Sequence, residues 1–190
     1  MTFSSSKSGA AETQALQISD LFQEARQRAL SQRTTHRVEI NATKRVIRLI
    51  DELGPGDASD DKVIKFVNYS NDGVYIGSLP SNASGSPTEL SPVPVATFAS
   101  STHPLSAGDF VATFRFIRNG TVTNAGTNGW GSGAVVTGAT VYVWSKYPND
   151  GSANPSVGNT IRAVTVLGST GLTRMWKCNL SGTSCSNWTK

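Results

Sequence analysis

The chain has 190 residues, of which 37% are hydrophobic and only 16% charged, and its formal net charge is +4. This length suits one domain with a real core and excludes a second independent domain of ordinary size. The 18 glycines, together with many Ser, Thr and Asn residues between the apolar runs, are typical of a secreted β-rich protein.

The charges are distributed unevenly along the chain. Seven of the 17 basic residues lie in one short stretch: Arg26, Arg28, Arg33, Arg37, Lys44, Arg45 and Arg48. After Asp150 the sequence contains no acidic residue but still contains Arg162, Arg174, Lys177 and Lys190. A basic C-terminal surface is therefore expected.

An amphipathic helix is predicted over residues 11–32. Apolar residues recur there at spacings of three and four, and Leu21 and Leu30 widen the stripe: Ala11, Ala15, Ile18, Phe22, Ala25 and Ala29. Residues 1–10 are interpreted as a disordered start or an expression remnant, and residues 11–190 as a single globular domain. No stretch approaches the roughly 20 consecutive apolar residues that span a bilayer.

From residue 37 onward the apolar period changes to two, which predicts a β-rich remainder over 37–190. The expected strands are 37–41, 45–50, 63–67, 74–78, 110–117, 121–124, 139–145, 161–166 and 173–178. The first four are interpreted as an antiparallel meander, and Asn119-Gly120 as a hairpin turn. The Pro/Ser-rich segment 79–108 is predicted to be an extended surface loop that Val93, Val95 and Phe98 pin in place; a disordered linker is the alternative.

Cys178 and Cys185 are the two cysteines of the chain, and both lie in a Gly/Ser/Thr-rich stretch near its C-terminus. This setting favours a disulfide over a zinc site, which usually needs four ligands. A disulfide in turn implies an oxidising compartment. Two reduced thiols in a cytosolic protein are the alternative.

The sequence predicts no enzyme, no cofactor, no metal and no small-molecule substrate. Its two histidines, His36 and His103, have no partner in a recognisable motif, and the Gly-x-Ser-x-Gly pattern of many hydrolases is absent. Asp57, Asp60 and Asp61 could hold Ca²⁺, but their spacing does not match an EF-hand loop, so a solvated loop is expected.

All four tryptophans lie in the C-terminal half, where the positive charge is also in excess: Trp130, Trp144, Trp176 and Trp188. Aromatic residues beside cations can stack nucleic-acid bases while Arg and Lys hold phosphates. The competing interpretation, which we favour, is that Trp144 and Trp176 pack inside a sheet.

Three segments in a fixed order carry a family resemblance: LFQEARQRALSQRTTHRVEI, then FRFIRNGTV, then IRAVTVLGSTGLTRMWKC. The chain resembles the soluble domains of the H pseudopilins of type II secretion and of the FimT and FimU minor pilins, from about Ala11 onward. Ala25, Arg26 and Ala29 stand at the family's A-R-x-x-A positions. Phe116 and Gly120 match its F-x-x-x-G hairpin, and Gly171 lies in the turn of the last strand pair.

The resemblance implies an α+β fold in which a pilin helix packs on antiparallel β-sheets. It also implies a leader peptide that a prepilin peptidase removes and a hydrophobic helix half that anchors the subunit in the inner membrane, with this domain in the periplasm. The expected role is a non-enzymatic subunit of a type IV pilus or secretion pseudopilus that helps to initiate assembly or forms the tip. Its expected partners are other pilin subunits.

DNA binding during DNA uptake is the alternative function. FimT-like members bind DNA through a Gly-Arg-x-Arg motif beside a C-terminal cysteine, and this chain has Gly171-Leu172-Thr173-Arg174 at that place. Leu172 replaces the first arginine, so only half of the motif is present. Arg174, Lys177 and Arg162 are the candidate nucleic-acid contacts, although a lysine does not reproduce the bidentate fork of an arginine.

Overall fold

The structure, a computed structural model, describes residues 4–53, 58–69, 74–80, 85–87, 95–123, 136–145, 160–179, 185 and 187–190. Several positions named above lie outside these ranges, including residues 1–3, most of 81–94 with Val93, Asp57, position 124, Trp130 and Asp150. One N-terminal helix packs on two antiparallel sheets, which is an α+β arrangement.

Helix α1 spans Ser4–Gln32 and therefore begins before the predicted start at Ala11, while its predicted end is confirmed. The predicted apolar stripe from Ala11 to Ala29 is completely buried, and Leu21 is buried with it. Leu30 is 40% exposed and does not belong to the stripe as predicted. Arg33 follows the helix with a φ of 59°, the left-handed conformation with which many helices end.

Eleven strands follow: β1 Thr35–Asn41, β2 Val46–Glu52, β3 Lys62–Asn68, β4 Val74–Gly77, β5 Ala99–Ser100, β6 Phe110–Phe116, β7 Val122–Thr123, β8 Gly138–Ser145, β9 Thr160–Leu167, β10 Thr173–Asn179 and β11 Trp188–Thr189. The nine predicted strands are confirmed within the described residues, with ends that differ by one or two positions. The two-residue strands β5 and β11 and a 3₁₀ turn at Pro104–Ser106 were not predicted.

The first sheet has the order β3-β2-β1-β6-β5, with β7 paired to β6, and the second has the order β11-β10-β9-β8-β4. The predicted meander holds for β1 to β3 but is wrong for β4, which pairs with β8 in the other sheet. Arg45 marks this crossing: its Nη2 donates to the carbonyl of Val74 over 3.3 Å, and its guanidinium lies over the ring of Tyr69.

The main core lies between the helix and the inner faces of both sheets. Phe22 is its centre, with ring centroids 4.8 Å from Phe114 and 5.8 Å from Phe116. The second sheet contributes Val141 and Val164 to the same core. The helix contacts both sheets with one broad face between Ala11 and Ala29, and its opposite face is exposed.

Segment 79–108 is only partly the surface loop that was predicted. Val95 and Phe98 pin it as expected: Val95 bridges to Thr140, and the ring of Phe98 stacks on Phe110 at 5.9 Å. Around His103, which is 1% exposed, the surface-loop prediction is wrong. Residues 101–109 lie on the outer face of the first sheet, the face turned away from the helix, where His103, Leu105 and Ser106 contact its side chains.

Candidate functional site

The residues that carry the family resemblance come together at the C-terminal end of α1, and we call them the helix-end cluster: Ala25, Arg26, Ala29, Phe116, Gly120 and Gly171. Ala25, Ala29 and Phe116 are completely buried. Arg26 reaches across to the turn between β9 and β10, where its Nε donates to the carbonyl of Thr170 over 2.7 Å. The cluster therefore joins the helix to both sheets.

Two glycines make this junction possible. Gly120 and Gly171 have φ values of 81° and 65°, which disfavour residues with a side chain. A Cβ added to Gly171 would lie 2.3 Å from the carbonyl oxygen of Gly120, and one added to Gly120 would lie 3.2 Å from Leu30 Cδ2. The hairpin after β6 and the turn after β9 thus leave no room for a side chain at Gly171, whereas a side chain at Gly120 would require Leu30 to shift slightly.

An open groove of about 600 Å³ runs beside the helix-end cluster. Gln23, Gln27 and Leu30 line it from the helix, and Leu172 lines it from the turn before β10. Leu30 and Leu172 are 40% and 46% exposed, so the groove presents apolar side chains to solvent.

The three candidate nucleic-acid contacts do not form one surface. Arg162 and Lys177 are direct cross-strand partners, and cross-strand partners point to the same face of a sheet. Arg174 lies three positions before Lys177 on β10, and successive side chains of a strand alternate between faces. Arg174 is therefore on the opposite face from the other two.

Arg162 is moreover buried, with 4% of its surface exposed. Its Nη2 lies 2.9 Å from Oε2 of Glu12 on the helix, in an ion pair that joins residues 150 positions apart. Its predicted role as a phosphate contact is not supported by this placement. Lys177 is exposed, and Arg174 is partly buried.

The outer face of the second sheet carries an aromatic and disulfide cluster, which we call the aromatic face: Tyr142, Trp144, Trp176, Cys178 and Cys185. The predicted disulfide between Cys178 and Cys185 is present, and both cysteines are completely buried. Trp144 and Trp176 are 7% and 4% exposed, which confirms that they pack on the sheet rather than stack on a ligand. Burial raises the pKa of Tyr142 above its ordinary value.

The outer face of the first sheet carries buried charges, which we call the ion network: Arg37, Glu52, Asp61, His103 and Arg115. Arg37 is completely buried and lies 3.2 Å from carboxylate oxygens of both Glu52 and Asp61. Arg115 Nε lies 2.9 Å from both carboxylate oxygens of Glu52. His103 Nε2 lies 2.7 Å from Asp61 Oδ2, which ties the covering segment to the sheet.

A second set of contacts holds the same covering segment. Ser106 donates to Glu39 over 2.7 Å, and Arg48 donates to the carbonyl of Leu105 over 2.8 Å. These bonds connect the 3₁₀ turn to the polar side chains of β1 and β2. Some buried nitrogens of this face, Arg37 Nε and Arg115 Nη1, have no hydrogen-bond partner.

Burial changes the titration of two groups on β1. Desolvation lowers the pKa of Arg37, and Glu52 and Asp61 oppose this shift. Desolvation also lowers the pKa of His36, which lies on the inner face of the strand with its Nε2 3.8 Å from Asp51 Oδ1. The neutral imidazole is therefore the favoured form of His36 in the fold.

The structure gives Asp61 a partner other than calcium. Its carboxylate is 2% exposed and is engaged by Arg37 and His103, whereas Asp60 is exposed. Across the described ranges, no group of three or more His, Cys, Asp or Glu residues is arranged to hold a metal ion.

Sequence reasoning missed the ion network. Arg37 and Glu39 alternate with Val38 and Ile40, and this pattern is typical of a strand with one solvated face. The signal available in the sequence is that charges of both signs alternate with apolar residues on β1 and β2, including Arg37, Glu39, Arg48 and Glu52.

In the part of the chain that the structure describes, no helix is both long and apolar enough to cross a bilayer. Comparisons with known proteins gave no match, whether to a protein-family model, a curated protein or a solved structure.

Proposed function

We propose that the chain is a minor pilin or pseudopilin: a non-enzymatic subunit that enters a type IV pilus or a type II secretion pseudopilus and helps to start its assembly or forms its tip. The helix-end cluster carries this proposal. Residues 25–29, 116–120 and 171 were grouped by the resemblance from their order in the sequence, and in the fold they pack at one junction. If the sequence resemblance were accidental, these residues would have no reason to lie next to one another in the fold.

The helix also offers a contact surface that suits a filament. Its exposed residues recur at alternating spacings of four and three along one line, which we call the exposed helix stripe: Thr13, Leu16, Asp20, Gln23, Gln27 and Leu30. Such spacing keeps a narrow seam on one side of a helix, as in helices that pack side by side. Leu16, 45% exposed, is an apolar residue of the seam available to a neighbouring subunit.

The disulfide agrees with the proposed location. Disulfides form and persist in oxidising compartments such as the bacterial periplasm and are rare in the cytosol. In this proposal the domain faces the periplasm, and a hydrophobic segment N-terminal to α1 anchors the full-length subunit in the inner membrane before assembly.

The natural gene tests the anchor directly. We expect it to encode a prepilin cleavage site followed by a hydrophobic segment that continues into α1. A natural N-terminus that has neither feature would refute the proposal.

A filament assay tests the exposed helix stripe. In a host lacking the gene, the wild-type full-length gene should restore filaments or secretion, and Leu16→Arg should restore severalfold less. Leu16 is exposed, so this change should leave the melting temperature of the isolated domain nearly unaltered. The control is Leu53→Arg, at an exposed residue directly after β2, which should complement fully. Equal complementation by both variants would contradict a role for the stripe.

The alternative, a DNA-binding subunit for DNA uptake, is less well supported by the geometry. Arg162 is buried in an ion pair, and Arg174 and Lys177 lie on opposite faces, so the three cations cannot follow one phosphate backbone together. If DNA does bind through β10, Arg174→Ala and Lys177→Ala should each weaken the shift of a DNA fragment at low salt. The absence of any shift for the wild-type domain would remove this alternative.

A further inference from the structure

The loop that joins β5 to β6 closes on itself at its base. The N–H of Ser101 donates to the carbonyl of Asp109 over 2.8 Å, and the N–H of Gly108 donates to the carbonyl of Ser101 over 2.9 Å. We call residues 101–109 the hairpin lid, since its tip, the 3₁₀ turn Pro104–Ser106, folds back onto the first sheet. Gly108 has a φ of 79°, and a Cβ added to it would meet no atom within 4 Å, so the base has room to act as a hinge.

Polar contacts hold the tip of the hairpin lid on the sheet. His103 lies against Asp61 and Arg37, and Ser106 donates to Glu39. The apolar residue of the tip, Leu105, is partly exposed and lines an open groove instead of entering the core. The free energy that keeps the tip closed therefore comes mainly from hydrogen bonds and ion pairs.

These contacts require a neutral His103 with its proton on Nε2. The Nδ1 atom accepts the backbone N–H of Leu105 over 3.2 Å and thereby caps the 3₁₀ turn. An acceptor nitrogen carries no proton, so we assign the single proton of the ring to Nε2, which donates to Oδ2 of Asp61 over 2.7 Å. Arg37 Nη2 also lies 2.7 Å from Nε2, and its own acceptor is Asp61 at 3.2 Å.

A second proton on the ring does not fit the closed lid. It would have to bind Nδ1, where the new N–H would point at the N–H of Leu105 and the cap would be lost. In an open lid the ring is in water, and it takes up that proton in the ordinary histidine range, at about pH 6.5. Opening is therefore coupled to proton uptake, and below that range acidification favours the open lid by up to about tenfold per pH unit.

The charges around His103 largely offset one another. They lie on three strands and on the segment before β3: Arg37 and Glu39 on β1, Arg48 and Glu52 on β2, Arg115 on β6, and Asp61. Only the cation of Arg37 and the anion of Asp61 touch the ring, and they act in opposite directions on a second positive charge. The remaining charges pair with each other or with Arg37. The hydrogen bond at Nδ1 therefore decides the direction of the coupling.

The base of the hairpin lid is held more firmly against acid than its tip. Asp109 lies 2.9 Å from Nζ of Lys44 and accepts from Nδ2 of Asn41 over 2.7 Å. These two donors hold the pKa of the Asp109 carboxyl below its ordinary value. Asp109 therefore stays ionised while His103 takes up its proton, and the base keeps the lid attached to β6.

We propose that the hairpin lid is a pH-sensitive device: neutral His103 holds it closed on the first sheet, and on acidification His103 takes up a second proton and the tip swings open about its base while the sheet stays folded. Opening withdraws Leu105 from the groove of about 450 Å³ that it lines with Val63 and Phe66. It also uncovers Arg37. The proposal goes beyond the filament role and does not rest on it.

Amide hydrogen exchange on the purified domain tests the hairpin lid. Rates are measured between about pH 7.5 and 5 and divided by those of an unstructured peptide at the same pH, so that only the protection due to structure remains. We expect the protection of the Leu105 and Ser106 amides to fall by up to about tenfold per pH unit below about pH 6.5. Val38 and Phe114, on the core strands β1 and β6, should stay more protected than the lid at every pH.

Two histidine variants separate opening of the lid from unfolding of the domain. His103→Asn retains a side-chain oxygen that can cap the turn but removes the titrating ring. Lid protection should then be lower, since the contact with Asp61 is lost, and it should no longer depend on pH. The matched control is His36→Leu, at the other histidine of the chain, which is also buried in the first sheet. It should flatten the pH dependence of Val38 and leave that of Leu105 unaltered.

A measurement on the wild-type ring keeps the test independent of any variant. The imidazole ¹⁵N chemical shifts at about pH 7.5 should show a neutral His103 with its proton on Nε2. A ring that is doubly protonated at this pH, or that carries its proton on Nδ1, would overturn the proposal.

Three exchange results would overturn it as well. The first is lid protection that does not change with pH. The second is an equal loss of protection at Leu105 and Val38, because the lid would then open only when the domain unfolds. The third is a pH dependence of the lid that persists in His103→Asn. None of these outcomes bears on the filament assay, so the two proposals fail separately.

Discussion

Each sheet buries part of its outer face, and the two sheets do so with opposite chemistry. On the first sheet, the ion network of Arg37, Glu52, Asp61, His103 and Arg115 is buried beneath residues 101–109. On the second sheet, Trp144 and Trp176 pack around the buried disulfide. The helix side of both sheets is mainly apolar, with His36 and Arg162 as buried exceptions.

This contrast teaches how differently the two faces depend on their individual members. When one residue of an apolar cluster is truncated, the packing contacts of that residue are lost, but no other residue is left with an unpaired charge. In an ion network, removing one member leaves its partners charged, buried and unpaired, which costs more than the pair itself contributes. The first sheet should therefore be more sensitive to single substitutions on its outer face than the second.

The largest effect is expected for Arg37→Met. Arg37 is completely buried and touches both Glu52 and Asp61, so its loss leaves two carboxylates without that cation. We expect the free energy of unfolding to fall by about 3–5 kcal/mol. Urea denaturation measures the change.

A matched control separates burial from charge. Arg28→Met removes an ion pair with Glu24 from the helix surface, and exposed pairs of this kind contribute about 0.3–0.5 kcal/mol. If Arg37→Met cost no more than Arg28→Met, the outer face of the first sheet would have to be solvated, and the contrast between the sheets would fail.

The next largest effect is expected for the disulfide of the aromatic face. Replacing both Cys178 and Cys185 by Ala reopens a loop of eight residues, which on the chain-entropy model costs about 2–3 kcal/mol. Adding dithiothreitol to the wild-type domain should produce a similar loss, and it should not change the double-alanine variant. A loss equal to that of Arg37→Met would mean that the two outer faces are equally sensitive.

A smaller effect is expected from pH. It concerns His36, which on the same strand has a more distant carboxylate partner than Arg37 has. Burial lowers the pKa of His36, so the unfolded chain takes up a proton on His36 at a higher pH than the folded chain does. Stability is therefore full above the ordinary histidine pKa of about 6.5 and falls on acidification below it.

The slope from His36 is at most about 1.4 kcal/mol per pH unit, and Asp51 reduces it. Urea denaturation at several pH values between about 7.5 and 5 should show a shallower slope for His36→Leu than for the wild type. An unchanged slope would mean that His36 takes up its proton at the same pH in the folded and unfolded chains, which would contradict the lowered pKa.

Most of the fold could be predicted from the sequence because its strands are locally consistent. Alternating apolar residues and Gly/Asn turns located the long strands, and the hairpin at Asn119-Gly120 is present between β6 and β7. The partner of β4 could not be predicted, since a strand's pattern reveals its faces but not its neighbour. The crossing to the second sheet depends on Arg45 and Tyr69, which are side chains of unrelated segments.

The candidate sites were predicted less completely, because contacts between segments that are far apart in the sequence leave no local pattern. Arg162 looked like a surface cation because its carboxylate partner, Glu12, lies 150 positions away. The polar face of β1 looked solvated because the segment that covers it is itself polar and contains little regular structure. The disulfide was predicted correctly because both of its cysteines lie within one short stretch of chain.

The placement of α1 at the start of the chain has a consequence for synthesis. Its partners Thr170 and Arg162 lie 144 and 150 positions beyond Arg26 and Glu12. At roughly 5–20 residues per second, about 8–30 s pass between translation of the helix and translation of the strands that bury it. Throughout that interval its apolar stripe lacks the second sheet, so a chaperone or a membrane surface has time to hold the nascent helix before the fold can close.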